Sequence, residues 1–253
     1  IHSTSQGKAL QAEFQLTTWA FNCPNEAVVN NTLFTSHKII NRAPDPTDST
    51  FIGIWADVDL GCGYDDYVGC SPALNTMYAY NTDAVDGQIG NTCQGTPTFP
   101  GAAPTQSVTI LNHPMDKFIP YNNTGGSVPA ATTDPQTALE FYRYLSGSWR
   151  DGSPLTDGPS GYGPGNLVSY LYPDDPSNVN GWSMCTANLP IGDRRLFGTI
   201  KLGQLAPGQI EEVNVAWAFH PNPDLPCGIG STLNDVTKLH TIYDNGFTNL
   251  CLP

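Results

Sequence analysis

Alternation of apolar and polar residues is the clearest pattern along this chain. Gln11–Phe21 (QAEFQLTTWAF) alternates and is rich in Thr and aromatic residues, which predicts a β-strand. Thr32–Asn41 predicts a second strand, with Leu33, Thr35, His37 and Ile39 on one face, and Thr50–Trp55 a third. Thr76–Tyr80 and Ser107–Leu111 read as short strands. Arg194–Leu202 and Ile210–Phe219 form a pair across a turn at Leu205–Gln209, and the second places Val213, Val215, Trp217 and Phe219 on its core face. Two helices punctuate this pattern. Asp134 is a good N-cap before Pro135, and Ala138, Phe141, Tyr142 and Leu145 make an apolar face that stops at Gly147. Ser231 caps a closing helix to Asn245, with Val236, Leu239 and Tyr243 inward and Gly246 beyond its end. No internal repeat or domain boundary interrupts the pattern. The expected fold is therefore mainly β: a jelly-roll-like antiparallel β-sandwich spanning residues 1–253 as a single domain, with two short helices and long Gly/Pro-rich loops.

Composition agrees with short strands and long ordered connections: among 253 residues, 25 are Gly and 22 Pro, and only 13% are charged. A formal net charge of −13 argues against nucleic acid as a partner, since phosphates need Lys and Arg. No run of about 18 apolar residues is present, so no membrane-spanning helix is expected. A Lys-poor, acidic chain fits an extracellular or cell-surface location. It starts at Ile1 without Met and stops after Cys251, Leu252 and Pro253, which reads as a fragment of a longer secreted precursor. The seven cysteines show no CxxC or HxxxH spacing and so no zinc site. In a secreted chain they allow three disulfides and one odd thiol. Cys62–Cys70, closing over Gly63, Tyr64, Asp65 and Asp66, is the expected pair, and several buried free thiols are the alternative.

The chemistry concentrates in Trp55–Asp86. Asp57, Asp59, Asp65, Asp66, Asp83 and Asp86 crowd this stretch, and no Lys or Arg lies between Arg42 and Lys117. Short carboxylates so crowded repel one another unless a cation sits among them. Ca²⁺, which takes six to eight oxygens, is the expected cofactor, in a structural site made by Asp57, Asp59, Asp65 and Asp66 with Asn81 and Asp83. Asp57 and Asp59 are two residues apart and point to the same side of a strand, as shared ligands must. The alternative is a solvated loop of turn-forming aspartates.

Elsewhere the signals are weaker. There is no GxSxG elbow, HExxH or phosphate loop, and the five histidines are scattered and read as strand or surface residues. A glycosidase's carboxylate pair leaves no mark in a sequence. Trp149, Tyr162, Tyr170, Tyr172 and Trp182 sit among Gly, Asp and Asn, a mixture that either stacks on sugar rings or pins long loops to the sandwich. Arg194 and Arg195, after Asp193, suggest pairing with carboxylates of the chain rather than an anion site.

Taken together, Trp55–Gly61 (WADVDLG), Asp65–Cys70 (DDYVGC), Tyr78–Asp83 (YAYNTD), Tyr142–Gly152 (YRYLSGSWRDG), Gly192–Arg195 (GDRR), Leu205–Gly208 (LAPG), Val213, Val236–Leu239 (VTKL) and Tyr243–Asn245 (YDN) resemble a segment of large secreted or cell-surface proteins of Bacteroidota. Those proteins are exported by the type IX secretion system and often end in a sorting domain. The chain departs from such segments at Ser71, where they often place Asp, and it carries no sorting domain. The resemblance implies a piece of an extracellular multidomain protein and assigns no activity. The leading expectation is a non-catalytic, Ca²⁺-stabilised structural or adhesion module, with a subunit of a surface fibre or layer, partnered by further copies or other surface subunits, as one form of it. A carbohydrate-binding module with glycan partners is the second expectation, and a hydrolase with an unrecognised site the third.

Overall fold

The computed structural model describes residues 7–87, 93, 98–99, 101, 103–125, 128–221, 224, 227–248 and 250–251. Its strands are β1 (Ala12–Ala20), β2 (Thr32–Asn41), β3 (Thr47–Asp57), β4 (Asp66–Ser71), β5 (Thr76–Asn81), β6 (Thr105–Ile110), β7 (Lys117–Phe118), β8 (Tyr121–Asn122), β9 (Arg194–Leu205) and β10 (Ile210–His220). The helices are α1 (Ala27–Asn30), α2 (Ala138–Ser146) and α3 (Gly230–Asp244). All strand pairs are antiparallel. One sheet has six strands in the order β1-β2-β10-β6-β5-β4; the other runs β3-β9-β7, with β8 also on β9.

The two sheets face each other, as the alternating pattern requires. Register pairs Val215 with Ile110 and Trp217 with Val108, so one face of the large sheet presents Val213, Val215, Val108 and Ile110. These pack into a common core with Ile54, Leu196, Ile200 and Phe118 of the smaller sheet. The expected inward face of β10 therefore holds at Val213 and Val215, but Phe219, past the edge of the smaller sheet, is exposed. The opposite face of β10 is covered too. Ala216 and Ala218 pack with Phe34, Val28, Val29 and Leu239, which brings α1 and α3 against the large sheet.

Local differences from the expected elements have local causes. α2 starts three residues late because Asp134 does not cap it: its carboxylate accepts from the Thr124 backbone N–H (2.8 Å) and hydroxyl (2.7 Å). Thr137 caps instead, in a reciprocal box with Glu140. Of its expected apolar face, Phe141 and Tyr142 are exposed, and Tyr144 is the buried residue. β4 replaces the expected loop end, because Tyr67, Val68 and Cys70 become a strand paired residue by residue with β5.

That strand also overturns the Cys62–Cys70 pairing. Cys70 sits opposite Met77, wholly buried and free, with its thiol against the Leu171 carbonyl (3.6 Å). A cysteine held in a core strand cannot fold back over the seven residues that separate it from Cys62. Cys62 pairs with Cys93 instead, Cys23 with Cys251 and Cys185 with Cys227. The last bridge ties the aromatic loop region to the segment after β10. That region is ordered along the outer edge of the large sheet, where the Cys70 N–H donates to the Tyr172 carbonyl (3.3 Å). It thereby covers β4, whereas among the described residues no strand pairs with the outer edge of β1.

Peptide mapping of non-reduced protein should recover Cys62 joined to Cys93, with Cys70 a thiol that alkylates only after unfolding. Replacing Cys62 by Ser should cost about 2–5 kcal/mol in urea denaturation. Recovery of a Cys62–Cys70 peptide would overturn this pairing.

Candidate functional site

The acidic stretch is where the chain passes from β3 in the smaller sheet to β4 in the larger one. Its aspartates fall into two groups. At the end of β3, antiparallel register sets Asp57 opposite Arg195 of β9. The Arg195 guanidinium bridges Asp57 (3.0 Å) and Asp193 (2.8 Å). Oxygens of Asp57, Asp59 and Asp193 lie within 4.8 Å of one another and could hold a metal ion; among the described residues this is the one such trio of acidic side chains. Partial burial pushes the Asp57 carboxyl up, Arg195 pulls it down, and Asp193 and Asp59 add to the rise. Gly63 belongs to this group sterically, since a Cβ there would collide with the Asp59 carboxylate.

The second group is buried. Asp66, 2% exposed, accepts the Leu60 N–H on Oδ2 (3.0 Å). Asp65, 9% exposed, accepts the Gly87 N–H on Oδ2 (2.6 Å). Asp86 accepts from the Cys62 N–H (2.8 Å) and from the Phe99 N–H, and it lies so close to Gly61 (φ 75°) that no side chain fits there. Each carboxylate thus satisfies backbone donors of the crossover or of the segment beyond β5, as turn-forming aspartates do. The other oxygens of Asp65 and Asp66 have no partner among the described residues. Asn81 faces Asp66 across the β4–β5 ladder; its carbonyl accepts the Asp83 N–H (3.2 Å) and its buried amide nitrogen is likewise unpartnered. Burial pushes Asp66 up to about 9 against the Leu60 hydrogen bond, and repulsion from Asp65, Asp86 and Asp59 adds to it. Burial also raises Asp65.

Of the six expected ligands, the structure therefore places Asp57 and Asp59 at the exposed trio, and Asp65, Asp66 and Asn81 around the buried pocket. Asp83 is exposed and turns onto the Val85 N–H (2.7 Å). The expected pairing of the Arg194–Arg195 couple with carboxylates of the chain holds for Arg195, and strand register rather than sequence proximity makes Asp57 one of its partners. Asp86 stood in the acidic stretch but was not among the expected ligands.

The aromatic residues mostly pin loops. Trp149, 1% exposed, donates its indole N–H to the Gly161 carbonyl (2.8 Å). Tyr162 donates to Asp151 (2.9 Å) and Tyr170 to the Met115 carbonyl (2.6 Å). Trp182 packs edge-on against Tyr172, with ring centroids 5.2 Å apart. Trp149 and Tyr172 additionally line a cleft of about 530 Å³, whose other walls include Asn122, Asn123, Thr124 and Arg194. Tyr162, Tyr170 and Trp182 do not line it.

One arrangement had no sequence signal at all. Ser107 Oγ lies 2.9 Å from His220 Nε2, and His220 Nδ1 lies 3.0 Å from Asp235 Oδ2. These are the contacts of a nucleophile, its base and an orienting acid. Yet Ser107 has no exposed surface; it sits on a central strand between the large sheet and α3, beside the Thr105–Thr232 contact. A substrate carbonyl cannot reach it, and the chain of bonds serves to clip α3 to the sheet. Burial holds His220 below its ordinary value against the pull of Asp235, so the neutral ring is the folded form. A depressed value in the folded state contributes stability above the unfolded value near 6.5 and loses it as pH falls. Replacing His220 by Ala should cost about 1–3 kcal/mol at pH 7.5, by stranding Ser107 and Asp235. In urea denaturation that cost should shrink from pH 7.5 to pH 5.5; an unchanged cost would refute the clip.

No protein-family model matches this sequence, and no curated protein matches it.

Proposed function

We propose that this chain is a non-catalytic, Ca²⁺-stabilised extracellular module of a secreted or cell-surface protein, with a structural or adhesive role. The carrying observation is the pair of buried aspartates, Asp65 and Asp66, each with one carboxylate oxygen lacking a partner among the described residues. A buried carboxylate left so costs several kcal/mol unless a cation neutralises it. The available donors are all hard oxygens, which suits Ca²⁺ over zinc or copper, and backbone carbonyls can complete its six to eight ligands. The exposed trio is the weaker seat, because Arg195 already neutralises Asp57 and Asp193.

Three disulfides support an oxidising, extracellular setting. No helix among the described residues is long and apolar enough to cross a membrane. The likeness to type IX-exported surface proteins of Bacteroidota belongs to this proposal, and so does assembly with further copies or other surface subunits. Phe14 (67% exposed) and Leu16 (64%) on the open edge strand β1 support such assembly.

Chelator-treated protein titrated with Ca²⁺ should release or absorb heat and gain about 2.7 kcal/mol at a hundredfold excess over Kd. For a chain of this size that is a rise of about 5–10 °C in Tm. Asp66→Asn should abolish the response while leaving the chelated protein as stable as wild type or more so, because it removes a buried charge. Asp57→Asn with Asp59→Asn should retain it. Absence of both heat and Tm change in wild type would sink the calcium reading. A serine-directed fluorophosphonate should leave the protein unlabelled, and labelling at Ser107 would overturn the non-catalytic assignment.

A further inference from the structure

The two neighbouring arginines at the start of β9 have unlike surroundings. Arg195 is neutralised by two carboxylates, Asp57 and Asp193. Arg194 has no carboxylate at ion-pair distance among the described residues. Its guanidinium donates only to neutral carbonyls: those of Asp66 (3.2 Å), Gly192 (3.1 Å) and Pro190. The Tyr67 ring lies beneath it, 6.0 Å from its carbon to the centroid. Three of the five N–H groups that a guanidinium carries are thus committed, and no carboxylate among the described residues pairs directly with the positive charge.

Arg194 lines the cleft of about 530 Å³, a volume within the range of small-ligand sites. The cleft offers three kinds of contact together. Tyr64, 52% exposed, gives it an aromatic face, while Trp149 (1% exposed) and Tyr172 (3%) back it from within the core, and Asp193, already paired with Arg195, lines it as well. Asn122, Asn123 and Thr124 supply amides and a hydroxyl along the wall. Some of these groups are already oriented: Asn123 donates to Asp193 (3.1 Å), and the Thr124 hydroxyl to Asp134 (2.7 Å).

We infer that this cleft binds an acidic saccharide, a sugar bearing a carboxylate such as a uronic acid, with the carboxylate compensating Arg194. A sugar ring has an apolar face for Tyr64 and hydroxyls for the amide wall. A carboxylate on that ring matches the planar donor pattern of a guanidinium. A neutral glycan would use Tyr64 and the wall but leave Arg194 without an ion pair. This goes beyond the cation-stabilised module proposed above: Tyr64 and the amide wall share no residue with the buried Asp65–Asp66 pair, and the two meet only where Arg194 donates to the Asp66 carbonyl (3.2 Å).

The test is an NMR titration with a glucuronic-acid-bearing oligosaccharide and with the same oligosaccharide after reduction of its carboxyl group. Each is run with saturating Ca²⁺ and with chelator, so that failure here is separable from failure of the calcium reading. The acidic form should bind about tenfold or more tightly than the reduced one, the advantage of one charge-assisted pair. Arg194→Gln should erase that preference. Because Arg194 also braces three carbonyls, near-ultraviolet circular dichroism must first show the variant folded. Tyr64→Ala, a change at an exposed residue, should weaken both ligands several-fold with their ratio kept. Equal binding of the two forms, binding of neither, or a preference that survives Arg194→Gln would each overturn the assignment.

Discussion

The whole sandwich depends on a crossover made of carboxylates. Between β3 and β4 the chain leaves one sheet for the other, and its backbone amides must find acceptors without a strand partner. Asp66 and Asp86 supply them, bonding the N–H groups of Leu60 and Cys62, while Asp65 holds the Gly87 N–H beyond β5. The Cys62–Cys93 bridge closes the same turn covalently. This arrangement solves a hydrogen-bonding problem by concentrating negative charge in a poorly solvated place. Backbone donors answer half of each buried carboxylate of the Asp65–Asp66 pair and leave the other half unanswered. That imbalance, more than the number of aspartates, is what makes a cation physically sensible there.

Charge elsewhere at this end of the molecule is handled by register. β9 carries two consecutive arginines, and an antiparallel strand sends successive side chains to opposite sides. Arg195 therefore meets Asp57 across the ladder, while Arg194 turns toward Tyr67 and the Asp66 carbonyl. One arginine quiets the exposed acidic trio, and the other brings a charge with no ion pair among the described residues to the wall of the cleft. Both lie at the junction of the two sheets, so the acidic crossover and the cleft are built on one strand end.

The long segment between α2 and β9 acts as a third layer without regular structure. It buries Trp149, Leu155, Leu171, Tyr172 and Met184 in the main core and bonds along β4. Its aromatic hydroxyl and indole groups point mostly to backbone carbonyls, which is how a Gly/Pro-rich chain is held in place without a ladder. At the other end of the large sheet nothing comparable among the described residues covers β1, and apolar side chains stand there in solvent. The sandwich is therefore asymmetric: one edge is sealed by its own loop and the other is left open.

The sequence by itself determined the longer strands but not β4, β7 or β8, because a period of two in Thr, Val, Ile and aromatic residues is a local property that survives in any β context. β2 is found with the bounds read from its residues, and β10 to within one residue. It also determined that Trp55–Asp86 is electrostatically unusual, since no cation is near in the chain. Only the tertiary structure decided the rest, because each remaining question concerned partners far apart in sequence. Whether Cys62 meets Cys70 or Cys93 depended on Cys70 being drawn into a core strand. Whether Asp57 has a counter-charge depended on the β3–β9 register. Ser107, His220 and Asp235 meet because β6, β10 and α3 pack together, which no local spacing encodes. Local chemistry set which elements form and where charge gathers; long-range register and burial set which of those charges are answered.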